Sequence, residues 1–302
     1  MRILMLSAHF NLPTDKVPIG GVQRHIEGLT EALKGMGYIV DWQYPSLIST
    51  EDIEKKYDAV ISHDYVCYRY NLKTPQIIVF HGWEGSWPLM ENVVKRRREI
   101  AEKADAVVDI GSSIHKMYGS KQGHIIYGGY DKELLKKKTH NNLKMLISSR
   151  IKKDCPNYMA VELANLLNVE LEVCGDGDGA LREELEKNAK KGITFHGFVK
   201  NIEDYMADCS FLVFGGYLTM IEAMVLRKPC FAFYDTVGRK YRITMLPEGV
   251  KVFAGDSAQK VYADFINADI SEVIEKNYEW AVQQTWENIA VKYLEILHGI
   301  KK

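Results

Sequence analysis

The sequence has little of several things that would narrow its function at once. Its five cysteines (Cys67, Cys155, Cys174, Cys209, Cys230) are scattered, with no C-x-x-C pair, so neither a disulfide framework nor a zinc site is signalled. No apolar run approaches membrane-spanning length, and the opening MRILMLSAHF is too short and too weakly basic for a signal peptide. Charge of one sign is missing too. The formal net charge is −1 over 302 residues, which offers nucleic acid no global attraction and makes it an unexpected partner. No H-E-x-x-H, EF-hand loop or nucleophile–base order stands out. What remains is a chain suited to a reducing cytoplasm and long enough for two domains of ordinary size. A local scarcity is more telling. Between Cys209 and Tyr234 the only acid is Glu222, set among Met220, Ile221, Met224 and Val225, where an unsatisfied carboxylate is costly to bury. Thr219 and Glu222 have the T-x-x-E spacing of a capping box. The alternative is a carboxylate kept for a ligand.

What is present is a repeating architecture. RILMLS, YIVDW, DAVISH, QIIVFHG and DAVVDIG are continuous apolar, β-branched runs, as expected of parallel strands covered on both faces. The helical stretch VQRHIEGLTEALKGMG carries Val22, Ile26, Leu29 and Leu33 on one stripe. The series then restarts with LKMLISS, VELEVCG, ITFHG, SFLVFG and PCFAFY, with helices predicted over 157–167, 179–190, 202–207 and 219–227. Two successive βαβ series predict an α/β chain of two doubly wound, Rossmann-like domains. The expected boundaries are 1–135 and 140–284, joined by the lysine-rich 134–142. A closing helix at about 285–302 is expected to pack back on the first domain.

Ligands of open parallel sheets bind beyond the carboxyl ends of the strands. Gly20 and Gly21 open the first helix, where free amides favour an anion, and Gly175 opens CGDGDG after a second-domain strand. Each is also an ordinary glycine turn. Arg150, Lys152 and Lys153 follow LKMLISS and suit a diphosphate; a solvated basic loop is the plainer reading. His81 directly follows a strand, and Trp83 and Trp87 stand nearby, either at an acceptor site or in ordinary packing. Lys95–Arg98 are consecutive, so they fan around a helix. A solvated face is the default there, and a surface touching anionic lipid the alternative, which makes the expected location cytoplasmic or peripheral at a membrane.

In collinear order these segments resemble the family 4 branch of the GT-B glycosyltransferases. GGVQRHIEGLTEALKGMGYIV is similar to GG-x-E-R-h-h-x-x-L-A-x-x-L-x-x-x-G-H-x-V, SSRIKKD to G-R-L…K-G, and IEAMVLRKPCFAF to L-E-A-M-A-x-G-x-P-V-h-A. YGGYDKELL, LEVCGDGDGALREELEK and ITFHGFVKNIEDYMADCSFLVF match further family segments. The resemblance implies two domains facing a central cleft and a retaining transfer of sugar from a UDP- or GDP-sugar to a hydroxyl of a glycan, glycolipid or glycoprotein, with no metal or other cofactor. It implies that Glu222 accepts hydrogen bonds from the ribose. Arg150 with Lys152 or Lys153 would hold the diphosphate, Gly20 and Gly21 would admit it, and amides of Leu218 and Thr219 would bind it. His81 would lie beside the transferred sugar. One departure stands out: FGGYLTMIE replaces the family's E-G-F-G-L-x-x-x-E, so Phe214 stands where the first glutamate of E-x7-E is usual. A catalytically silent sugar-nucleotide-binding protein and a GT-B nucleotide-sugar epimerase are the alternatives.

Overall fold

A computed structural model describes residues 1–8, 20–82, 91–118, 123–140, 142–152 and 156–300. The chain divides into two compact units, Met1–Gly129 with Gln284–Lys302, and Tyr130–Gln283. In the first, β1 (Arg2–Ser7), β2 (Ile39–Gln43), β3 (Ala59–His63), β4 (Gln76–Phe80), β5 (Ala106–Ile110) and β6 (Gly123–Ile126) form one parallel sheet ordered β2-β1-β3-β4-β5-β6. Its helices are α1 (Gly21–Gly35), α2 (Thr50–Lys56), α3 (Glu91–Lys103) and α4 (Ser112–Tyr118). Alternation along a strand sends successive side chains to opposite faces. Leu4 and Leu6 pack with Ile53 of α2, while Ile3 and Met5, pointing the other way, are equally buried. This two-sided burial is why the strand runs are apolar throughout.

The second unit repeats the plan with β7 (Asn142–Ser148), β8 (Glu170–Cys174), β9 (Ile193–Gly197), β10 (Cys209–Val213), β11 (Cys230–Phe233) and β12 (Phe253–Gly255). They are all parallel and ordered β12-β11-β10-β7-β8-β9. Around them run α5 (Asn157–Leu167), α6 (Gly179–Asn188), α7 (Ile202–Asp208), α8 (Tyr217–Val225), α9 (Val237–Thr244), α10 (Ala258–Ile266) and α11 (Ile270–Ala281). Met145, Ile147, Val173, Val213, Phe231 and Phe253 share one core with α5, α6 and α10. The last helix, α12 (Trp286–Gly299), belongs to the first unit and lies on α1. There the Trp286 indole fills the space beside Gly28 and Gly129, where any Cβ would collide with it.

Residues 134–140 of the lysine-rich segment expected as a linker pack on the second unit. Leu134 is buried, Lys137 pairs with Asp204, and the His140 amide and carbonyl bond to Ala207 O and Lys228 Nζ at 2.8 and 2.7 Å. Both backbone groups of His140 thus find partners on the second sheet's helices and loops. Among the described residues no helix is long and apolar enough to cross a membrane.

Candidate functional site

In the second unit the chain goes to β8 on one side of β7 and reaches β10 on the other. Loops leaving those two neighbours diverge, and the crevice between them is where an open α/β sheet binds its ligand. Arg150 and Lys152 lie on the loop after β7, both exposed. Backbone bonds fasten that loop to the one after β8: Ser149 N donates to Cys174 O (3.2 Å), Ile151 N to Asp176 O (3.1 Å) and Asp178 N to Ile151 O (3.0 Å). So close an approach requires glycine. A Cβ on Gly175 would overlap the Ser149 carbonyl, and one on Gly177 the Ile151 carbonyl. Gly175 therefore serves the site by letting the Arg150 loop sit down on its neighbour. Buried Asn157, at the first turn of α5, adds a second fastening by donating to Arg150 O and Lys152 O at 3.0 and 3.3 Å. Lys153 and Cys155 lie outside the described residues, as do Trp83 and Trp87.

The loop after β10 leads into α8, and here the capping-box expectation is corrected. The helix begins two residues earlier than the 219–227 pattern predicts, with Gly216 as its N-cap. Thr219 is the third helical residue, and its Oγ1 donates to Gly216 O at 3.0 Å. Glu222 is thus beyond reach of the cap position and caps nothing. It is 3% exposed in a helix whose Met220, Ile221, Ala223 and Met224 are fully buried. Four residues after Leu218, it shares that residue's face, and helical side chains lean toward the N-terminus. Its Cα–Cβ bond therefore tilts toward the start of α8. The amides of Leu218 and Thr219, in the first turn, have no intrahelical acceptor. Phe214 is buried, and its amide continues the ladder to Phe231 O at 3.0 Å. At the other end, Arg227 adopts φ 56° where the family pattern has glycine. Its amide and that of Lys228 close a Schellman turn on Met224 O and Ala223 O, each at 3.0 Å.

The first unit carries its own cluster at the carboxyl edge. His81 follows β4, and its Nε2 is 3.0 Å from Nδ1 of His63, the last residue of β3. His25 of α1 meets the His81 ring edge-on at 5.0 Å and places Nε2 3.1 Å from the Tyr293 hydroxyl of α12. Burial holds His25 at a pKa of about 3, so it is neutral at ordinary pH. Gly20 and Gly21 lie at the start of α1, but the Gly20 amide already donates to Gln23 Oε1 at 2.8 Å. Only Gly21 keeps open space around its Cα. Lys95–Arg98 do not form one cationic face. Arg97 is fully buried, paired with Asp64 Oδ1 at 2.7 Å and donating to Gly82 O at 2.9 Å. It ties the loop after β3 to the loop after β4, the two that carry the histidines. Asp64 itself has φ 75°, a strained conformation for a non-glycine residue.

Sequence reasoning missed His25, His63, Arg97 and Asn157. His63 ends its strand as His81 follows the next, so the strand-end criterion that picked His81 could have found it. His25 and Arg97 act through neighbours distant in sequence, and Asn157 through carbonyls five and seven residues back in a loop that no motif marks.

Comparison with known proteins settles the class. The family model described as glycosyl transferases group 1 matches residues 131–264, nearly the whole second unit. The second unit is a glycosyltransferase group 1 domain. No curated protein matches the chain in sequence. Among solved structures, the glycosyltransferase chain is similar to HepE of Anabaena, crystallised with UDP and glucose. The two are 14% identical over 98% of this chain and 99% of that one, with a TM-score of 0.71. It is also similar to sucrose-phosphate synthase of Thermosynechococcus elongatus (17% identity, 98% of each chain, TM-score 0.73). A third likeness is to AviGT4, a glycosyltransferase of avilamycin A biosynthesis (13% identity, 99% and 97%, TM-score 0.69). At such identities the likeness establishes the GT-B fold, and the domain match establishes a glycosyltransferase enzyme.

Proposed function

We propose that this glycosyltransferase moves a sugar, with retention, from a nucleoside-diphosphate sugar to a hydroxyl of a glycan or lipid-linked acceptor. The supporting observation is the switch point of the second sheet: the loop after β7 carries exposed Arg150 and Lys152, the loop after β10 leads into the first turn of α8, and Glu222 is buried on that helix. Two cations and helix amides suit a leaving diphosphate, whose charge grows as the glycosidic bond breaks. Glu222 suits ribose hydroxyls, because an ionised carboxylate accepts hydrogen bonds from both of them. UDP in the HepE crystals is consistent with such a donor. His81, hydrogen-bonded to His63, is the first unit's candidate for a contact with the sugar. Protein cations supply the charge in this reading, so activity should survive a chelator.

The test is to supply UDP-, GDP-, ADP- and dTDP-sugars with candidate acceptors and to measure release of nucleoside diphosphate. Arg150→Ala should lower kcat more than it raises KM, because its interaction strengthens in the transition state. Equal kcat in that variant would remove Arg150 from the leaving-group role. Buried Phe214, in place of the usual acid, favours a second reading, a protein that binds a sugar nucleotide without turning it over. Binding without release of diphosphate under any acceptor would select it.

A further inference from the structure

Arg242 lies on α9, the helix that follows β11, and no sequence motif marks it. Its backbone carbonyl accepts the Tyr217 hydroxyl at 2.7 Å, which holds α9 against the start of α8. The side chain is exposed and runs back to the α8 N-cap, where a Cβ on Gly216 would lie 3.3 Å from Arg242 Nη2. Across it stands the Tyr217 ring, 5.8 Å from the guanidinium carbon. The nearby carboxylate of Asp235 is taken by Arg239, at 3.0 Å through each oxygen. Among the described residues no carboxylate pairs with Arg242.

A guanidinium at the positive end of a helix is electrostatically opposed unless an anion lies between them. The sequence around it removes both things that would interfere. Phe214 stands where the family pattern has glutamate, so that position offers the arginine no carboxylate. Gly216 stands where that pattern has phenylalanine, so the guanidinium can lie against bare backbone. We propose that Arg242 binds the diphosphate of the donor, its guanidinium and the amides of Leu218 and Thr219 closing on the same phosphate oxygens from two sides. The planar fork of arginine matches phosphate oxygens in pairs, which a lysine cannot do. The assignment rests on the donor reading above and adds a cation from the far side of the crevice to those on the β7 loop.

Calorimetric titration of the intact protein with UDP, GDP, ADP and dTDP identifies the diphosphate that binds. The same diphosphate and its parent nucleoside are then titrated into Arg242→Gln and Arg242→Lys. Glutamine should weaken diphosphate binding roughly 10- to 100-fold, the range for losing a charged hydrogen-bond partner. Nucleoside binding should change by less than about twofold, and the salt dependence of diphosphate binding should flatten. Lysine should restore part of the affinity. Arg242→Gln should melt with the parent protein, because Tyr217 bonds to the backbone carbonyl. Unchanged diphosphate affinity in Arg242→Gln, or an equal loss for diphosphate and nucleoside, overturns the assignment and leaves the donor reading standing. A parent protein that binds none of the four diphosphates overturns both.

Discussion

At the carboxyl edge of the first sheet the chain packs rings against one another around buried His25 and His63, whereas at the same edge of the second it holds amides and cations open to solvent. His25, His63, His81 and Trp286 touch one another in the first, and a buried arginine braces their loops. In the second, Arg150 and Lys152 are exposed on a loop whose shape comes from glycine and backbone hydrogen bonds. The contrast teaches that one plan, a parallel sheet with a crevice at its switch point, can be finished in two ways. Packed rings fix a shape, and pinned backbone fixes the placement of charge.

That contrast can be broken most sharply at Gly175. Gly175→Ala places a Cβ on the Ser149 carbonyl and should destabilise the second unit by about 4 kcal/mol, through overpacking and backbone strain. Chemical denaturation followed by a probe in that unit reads it; a loss under about 1 kcal/mol would show that the loop pair can shift apart. On the first unit, Arg97→Leu leaves Asp64 without its cation and should cost about 3 kcal/mol. Fluorescence-monitored urea unfolding measures that loss, and a neutral result would deny Arg97 its bracing role.

Acid should separate the edges next. His25 has a folded pKa near 3, below the unfolded value near 6.5, so between these limits the unfolded chain binds a proton that the folded chain refuses. Its contribution is complete above pH 6.5 and fades as pH falls, by about 2 kcal/mol at pH 5. His25→Phe should remove that part of the slope, and an identical slope in the variant would refute it. The smallest effect belongs to Arg227→Gly. Relief of the left-handed backbone is offset by loss of the Glu275 pair and the Tyr278 stack, so stability should move by less than about 1 kcal/mol.

Much of this was readable in the sequence, for physical reasons. Two-sided burial writes itself as unbroken apolar runs, which is why ten of the twelve strands among the described residues are legible in the sequence. GHII is not buried on both faces, since His124 and Ile125 are exposed, and FAG has only three residues. Loop residues after strands were legible because the switch-point rule needs only strand order. Arg150, His81 and Glu222 follow from it or from the family pattern. The capping reading failed because spacing alone cannot say where a helix starts: Gly216, not Thr219, supplies the extended N-cap. Arg97 was hidden inside a basic run whose default is solvent, since burial of one cation depends on Asp64 and Gly82, distant in sequence. Arg242 likewise acts on neighbours that only the fold brings near.

The placement of Trp286 has a further consequence, for the order in which the protein is made. The tryptophan beds down against Gly28 and Gly129, and the Gln284 carbonyl lies 3.2 Å from where a Gly129 Cβ would be. The chain thus leaves the first unit and re-enters it at nearly the same point. During synthesis every residue of the second unit emerges before α12 does. The part that begins first is completed last, so a nascent chain whose first 283 residues have left the ribosome carries a full-length second unit beside a first unit still missing the helix that covers α1.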